Sequence, residues 1–142
     1  MTMNENKVKE KYMEYQLLMQ QFQQLQENIG ALEKHILELR VLDDNLSSLS
    51  KTKAGEETLM PLGSGIFVKG ELKDNSNVVM NVGGGVCVEK SVDEAKDTVS
   101  IQLSDVTNVF TELQEEIMKT SEKLQSLQDE FKNMRMDELG EA

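Results

Sequence analysis

The chain has 142 residues, a formal net charge of -11, 4% aromatic residues and no tryptophan. Tyr12, Tyr15, Phe22, Phe67, Phe110 and Phe131 are its only aromatic side chains, too few to fill a thick globular core, so an elongated or obligately assembled architecture fits better. The acid excess sits mainly in residues 91–142, with thirteen acids against five bases, and it disfavours binding to nucleic acid.

Seven of the nine glycines and the single proline, Pro61, fall between Gly55 and Gly85. This divides the chain into a long helix, a strand-rich middle and a second long helix. The first helix is expected over residues 6–50. Its apolar positions run Val8, Tyr12, Tyr15, Met19, Phe22, Leu25, Ile29, Leu32, Ile36, Leu39, Leu42, Leu46 and Leu49. Steps of three and four alternate, which is the seam of a coiled coil with about 3.5 residues per turn. Gly30 lies within it at a cost of about 1 kcal/mol relative to Ala. It either lets a facing helix approach closely or is simply tolerated.

The middle, residues 58–90, reads as four short strands: Thr58–Leu62, Ile66–Lys73, Asn77–Gly83 and Gly85–Lys90. Gly63-Ser64-Gly65 and Gly83-Gly84-Gly85 supply the positive backbone angles of tight hairpin turns. Asp74-Asn75-Ser76 joins the two hairpins with turn-forming residues. Pro61 suits a strand edge or a bulge. Among the apolar strand residues, Leu59, Leu62, Ile66, Val68, Leu72, Val78, Met80, Val82, Val86 and Val88 are the candidates for contact with other chains. Two isolated hairpins are too small to be stable alone, and their open edges invite pairing with other chains. Oligomerisation through these residues is therefore expected.

The second helix is expected over residues 91–138. Ser91-Val92-Asp93-Glu94 reads as a capping box with Ser91 as N-cap. The apolar seam runs Val99, Leu103, Val106, Phe110, Leu113, Ile117, Leu124, Leu127, Phe131 and Met134, with Thr120 in the one polar position. Each helix would be roughly 65–70 Å long. No other segment is long enough to cover either stripe, so the two helices are expected to pair antiparallel within one domain.

Cys87 is the only cysteine, so no internal disulfide can form. That fits a reducing compartment. The first fifteen residues have no apolar core of signal-peptide type, and no stretch approaches the roughly 20 apolar residues of a membrane span. A cytoplasmic protein is the default reading. His35 has no second histidine or cysteine nearby, and Cys87 has no histidine to activate it. Glu115, Glu116, Asp129 and Glu130 read as a solvated helix face. No catalytic constellation, metal site or cofactor site is expected.

The run from Leu59 to Leu72, LMPLGSGIFVKGEL, together with VVMNVGGGV from Val78 to Val86 and the helix start at Ser91, closely resembles the signature of alpha-class prefoldin subunits. The resemblance covers nearly the whole chain. Beta-class subunits have one hairpin at this place, so four strands argue for the alpha class. The resemblance implies an α+β fold, mostly helical: a long antiparallel coiled-coil hairpin whose four strands assemble with other chains into an oligomeric β-barrel platform. It implies a hexamer of two alpha and four beta subunits, with a second alpha subunit as neighbour. It further implies an ATP-independent holdase chaperone that grips non-native proteins with its coiled-coil tips and passes them to a group II chaperonin.

In such a hairpin both termini lie at the tip. Tyr12, Met13, Tyr15, Leu17, Leu18 and Met19 would then face Leu127, Phe131, Met134 and Met136. Met13, Leu17, Leu18 and Met136 lie off the seam, a surplus of apolar surface that suits client contact. The competing reading of these ten residues is that they only close the coiled coil. A prefoldin-like structural or scaffold protein, forming filaments or another complex, is the alternative to the chaperone.

Overall fold

The computed structural model describes residues 3–140 of the chain, and the side chains of residues 5–135. Helix α1 spans Met3–Lys51, strands β1 to β4 span Glu57–Gly63, Ile66–Glu71, Asn77–Gly83 and Val86–Ser91, and helix α2 spans Val92–Gly140. Each helix has 49 residues, a little longer than the spacing of apolar residues predicts. Among the described residues the strands form two separate antiparallel pairs, β1 with β2 and β3 with β4, and close no barrel.

The two hairpins follow one template. Met60 pairs with Val68, and Met80 with Val88, twenty positions later. Each register shifts once, between Pro61 and Gly63 and between Asn81 and Gly83. The extra residues, Leu62 and Val82, are therefore β-bulges, which bend and twist a strand. Proline is tolerated beside such a break in the ladder. In the second hairpin the Asn81 side chain stands at the same place and accepts a hydrogen bond from the Gly83 N–H at 3.0 Å.

Both turns are two residues long with positive φ throughout: 51° and 80° at Ser64 and Gly65, 60° and 76° at Gly84 and Gly85. These angles belong to the type I′ turn, whose twist matches that of the strands it joins. The ladders continue past the strand ends by matching bonds. The Leu72 N–H donates to the Glu56 carbonyl at 3.0 Å, and the Val92 N–H to the Ser76 carbonyl at 2.8 Å.

Between the hairpins, Asp74 organises the link. Its carboxylate accepts from the Ser76 backbone N–H and hydroxyl, both at 2.8 Å, and from the Asn77 amide at 3.2 Å. The Ser76 N–H chiefly, then these side chains, hold Asp74 below the usual carboxylate range. The N-cap of α2 forms as its sequence predicts, with the Glu94 N–H donating to Ser91 Oγ at 3.1 Å. Ser91 itself closes β4, so the helix starts at Val92.

The chain divides into two compact units: His35–Val106, and the residues up to Lys34 together with those from Thr107 onward. In the first, Leu39, Leu46, Val92, Ala95 and Val99 form a buried cluster, with Leu49, Val78, Met80, Leu103 and Val106 packed against it. Leu39 and Leu46 of α1 pack here with Val92, Ala95 and Val99 of α2, and β3 covers one flank through Val78 and Met80. Leu42 departs from the expected seam and is exposed.

In the second unit, Thr120, Leu124 and Leu127 of α2 are buried. Tyr15, Leu18, Met19, Phe22, Leu25, Ile29 and Leu32 of α1 are half-buried. Lys11 pairs with Glu130, and Tyr15 meets Gln128, so in this unit the helices run antiparallel.

Gly30 is exposed, and a Cβ placed on it would meet nothing within 4 Å. Close helix approach therefore does not explain this glycine. Gly30→Ala should raise the stability of the helix pair by about 0.5–1 kcal/mol, seen as a higher midpoint in a circular-dichroism thermal melt.

Candidate functional site

Among the described residues, exposed apolar side chains gather at two surfaces that bear on the expected function, while Leu37, Val41, Ile101 and Met118 are exposed elsewhere on the helices. The first is the strand region. Among the described residues of β1 and β2 only Thr58 and Gly70 are even half-buried. Leu59, Met60, Leu62, Ile66, Phe67 and Val68 are all exposed. Leu59, Pro61 and Phe67 share one face of this hairpin, while Met60 and Val68 share the other, as the alternation of a strand requires. Both faces of the first hairpin are thus apolar and open. The second hairpin differs, because Val78 and Met80 lie on the helix core while Val79, Val82 and Val86 remain exposed. Val88 is half-buried, and so is Leu72 just beyond β2.

Gly70 has a local reason. The Met60 side chain lies across it, and the Met60 methyl fills the space that a Cβ on Gly70 would need. At the equivalent place twenty residues on, the second hairpin carries Lys90 opposite Val78. Cys87 of β4 is exposed in the chain itself.

The second surface is the end of the helix pair that carries both termini. Leu127 is buried and belongs to the seam. Tyr15, Leu18, Met19, Phe131 and Met134 are half-buried. Tyr12, Met13 and Leu17 are exposed, Met13 at 64% and Leu17 at 60%. The side chain of Met136 lies outside the described residues.

The spacing of apolar residues puts Tyr12 on the seam, yet the residue turned inward is Lys11. Its ammonium pairs with the Glu130 carboxylate across the helices. The Gln128 amide donates to Tyr15 Oη at 2.9 Å. The Tyr15 ring meets Phe131 edge to face, with ring centroids 6.1 Å apart and planes at 77°, a favoured aromatic geometry. Sequence reasoning missed Lys11 and placed Glu130 on a solvated face. Opposite charges were visible at both, but their meeting depends on the register between helices, which spacing within one helix does not fix.

Farther along the same unit, a groove is lined by Gln21, Gln24, Leu25, Glu116, Lys119, Thr120 and Lys123. Among the described residues, no group of three or more His, Cys, Asp or Glu side chains is gathered to hold a metal ion. None of the described helices is long and apolar enough to cross a membrane.

Comparison with known proteins places this geometry. The family model described as Prefoldin subunit matches residues 18–134. A prefoldin subunit alpha of Pyrococcus horikoshii is 30% identical over 136 residues, covering 90% of this chain and 92% of its own. Another, from Methanobrevibacter smithii, is 32% identical over 108 residues, covering 76% and 73% respectively. A cryo-EM structure of filamentous PFD from Methanocaldococcus jannaschii superposes with a TM-score of 0.69 at 25% identity, covering 81% of this chain and 95% of that one.

The chain belongs to the prefoldin family, a family of chaperone subunits. Its two hairpins and its relatives make it an alpha-class subunit, built to assemble with other prefoldin subunits.

The two kinds of apolar residue at the terminal end should separate by stability. Leu124→Ala in the buried seam should cost about 2–5 kcal/mol. Met13→Ser and Leu17→Ser, both exposed, should stay within about 0.5 kcal/mol of the parent chain. Urea unfolding followed by circular dichroism checks both.

Proposed function

We propose that this chain is the alpha subunit of a heteromeric prefoldin that holds non-native polypeptides at the terminal ends of its helices. In this reading two alpha and four beta subunits join through their strands into a β-barrel platform, and the whole chain acts as one module in the cytosol. The complex works without nucleotide and delivers its clients to a group II chaperonin. Tyr12, Met13, Tyr15, Leu17, Leu18, Met19, Leu127, Phe131, Met134 and Met136 are the proposed client-binding set.

One observation carries the client-binding part: Met13 and Leu17 stand exposed beside a seam that does not use them. Methionine is flexible and polarizable and suits surfaces that must fit many partners. Each contact with a client is weak, and several subunits acting together raise the effective affinity. The assembly part is supported by the first hairpin, whose Leu59 at 63% and Phe67 at 56% exposure lack a cover within the chain.

Met13→Ser combined with Leu17→Ser should lower the suppression of aggregation of a denatured client at least severalfold, while native mass still reports the hexamer. Full activity in that variant would remove the terminal end from the mechanism. Leu59→Asp combined with Phe67→Asp should have the complementary effect. Assembly with a beta-type partner is lost in native mass measurement, and the helical signal of the chain stays intact.

The likeness to a filamentous PFD supports a second reading, in which copies of this chain assemble alone into filaments. Native mass with and without a beta-type partner separates the two. A discrete complex that needs the partner favours the chaperone hexamer, and open-ended growth of this chain alone favours the filament.

A further inference from the structure

At the terminal end of the helix pair, three contacts concentrate in a short span. Lys11 pairs with Glu130, Gln128 donates to Tyr15 Oη, and the Tyr15 ring packs on Phe131. The seam next to them closes with buried Leu124 and Leu127 and needs no polar fastening. Lys11 is half-buried and turned inward, and Glu130 across from it is half-buried as well. A charge pair there is a poor substitute for an apolar residue as a source of stability. Part-exposed ion pairs are weak and are screened by salt.

The same contacts set what a client can reach. Tyr15 and Phe131 direct their rings at each other and are half-buried, while Met13 and Leu17 beside them are open. An apolar side chain from outside meets Met13 and Leu17 at once. It covers Tyr15 and Phe131 only after their mutual contact parts. A fastening held by an ion pair and one hydrogen bond can part without breaking the Leu124–Leu127 seam.

We infer that Lys11, Glu130, Gln128 and Tyr15 form a clasp that keeps the terminal end partly closed and competes with the client for Tyr15 and Phe131. This rests on the reading that the terminal end binds non-native polypeptide. The clasp sets client affinity by population. If it is closed about nine-tenths of the time, apparent binding is weakened about tenfold relative to the open end. Salt loosens the ion pair and so strengthens capture.

The test uses the assembled complex of this chain with its beta-type partner and a chemically denatured client. Lys11→Gln with Glu130→Gln removes the charges and keeps polar side chains. Tyr15→Phe removes the hydrogen-bond acceptor and keeps the ring. Each should lower the concentration needed for half-suppression of aggregation, by about threefold to tenfold for the double variant. The rise in capture with salt should be present in the parent and absent from the Gln pair.

A locked form guards against a variant that merely loosens the fold. Lys11→Cys and Glu130→Cys, in a Cys87→Ser background, are joined by a reducible thiol crosslinker. The locked complex should lose most of its capture and regain it on reduction. The clasp is overturned if the opened variants capture no better than the parent, or if the locked form captures as well as the reduced one. Met13→Ser with Leu17→Ser tells the two levels apart. If that variant loses capture while opening and locking change nothing, the clasp alone falls. If it captures as the parent does, the client-binding reading falls and the clasp with it.

Discussion

A helix with an apolar stripe is stable in water only when something covers the stripe. Everything else in this chain follows from how that need is met. Within each compact unit a segment of α1 and a segment of α2 cover one another: Leu39, Leu46, Val92 and Val99 cluster in one, and Tyr15 packs on Phe131 beside the buried Leu124 and Leu127 in the other. The strands have to turn the chain around for this to happen, and type I′ turns with bulges do so within a few residues. The sparse aromatic content follows too, because a seam one side chain deep is filled well by leucine, isoleucine and valine.

Among the described residues the same need goes unmet at several exposed apolar side chains, and function is proposed at two of those places. The first hairpin leaves both of its faces open, while the second rests Val78 and Met80 on the helix core. One template therefore serves two purposes, one hairpin tied to its own chain and one offered to others. At the terminal end the surplus is smaller and softer, with Tyr12, Met13 and Leu17 exposed beside a polar fastening. A surface that must hold many different sequences benefits from being small, adaptable and shared among several subunits. The acid excess of residues 91–142 keeps such a chain soluble.

Much of the architecture was legible in the residues. Alternating steps of three and four located both helices, the glycine clusters located both turns, and Ser91 and Glu94 marked the start of α2. Pro61 correctly pointed to a break in a strand ladder. What could not be read depends on contacts between segments. Gly70 of β2 is one case, since the space a side chain would take there is filled by Met60 from the neighbouring strand. Tyr12 fits the seam by spacing, yet Lys11 is the residue turned inward. Leu18 lies off the regular seam and is nevertheless half-buried, so among the described off-seam residues only Met13 and Leu17 are fully exposed at this end. In each case the helix or strand was right and the rotation or the neighbour was not, because one helix's periodicity carries no information about the register of its partner.

The placement of the aromatic residues has a further consequence. The chain has no tryptophan, and its two tyrosines, Tyr12 and Tyr15, lie within four residues of each other on α1. One ring is exposed, and the other contacts a glutamine amide and a phenylalanine ring. The phenol absorption and emission of this chain therefore arise from a single locality. In a mixture with tyrosine-free partners, ultraviolet spectroscopy would act as a native optical label for the terminal end of the helices, without any dye attached.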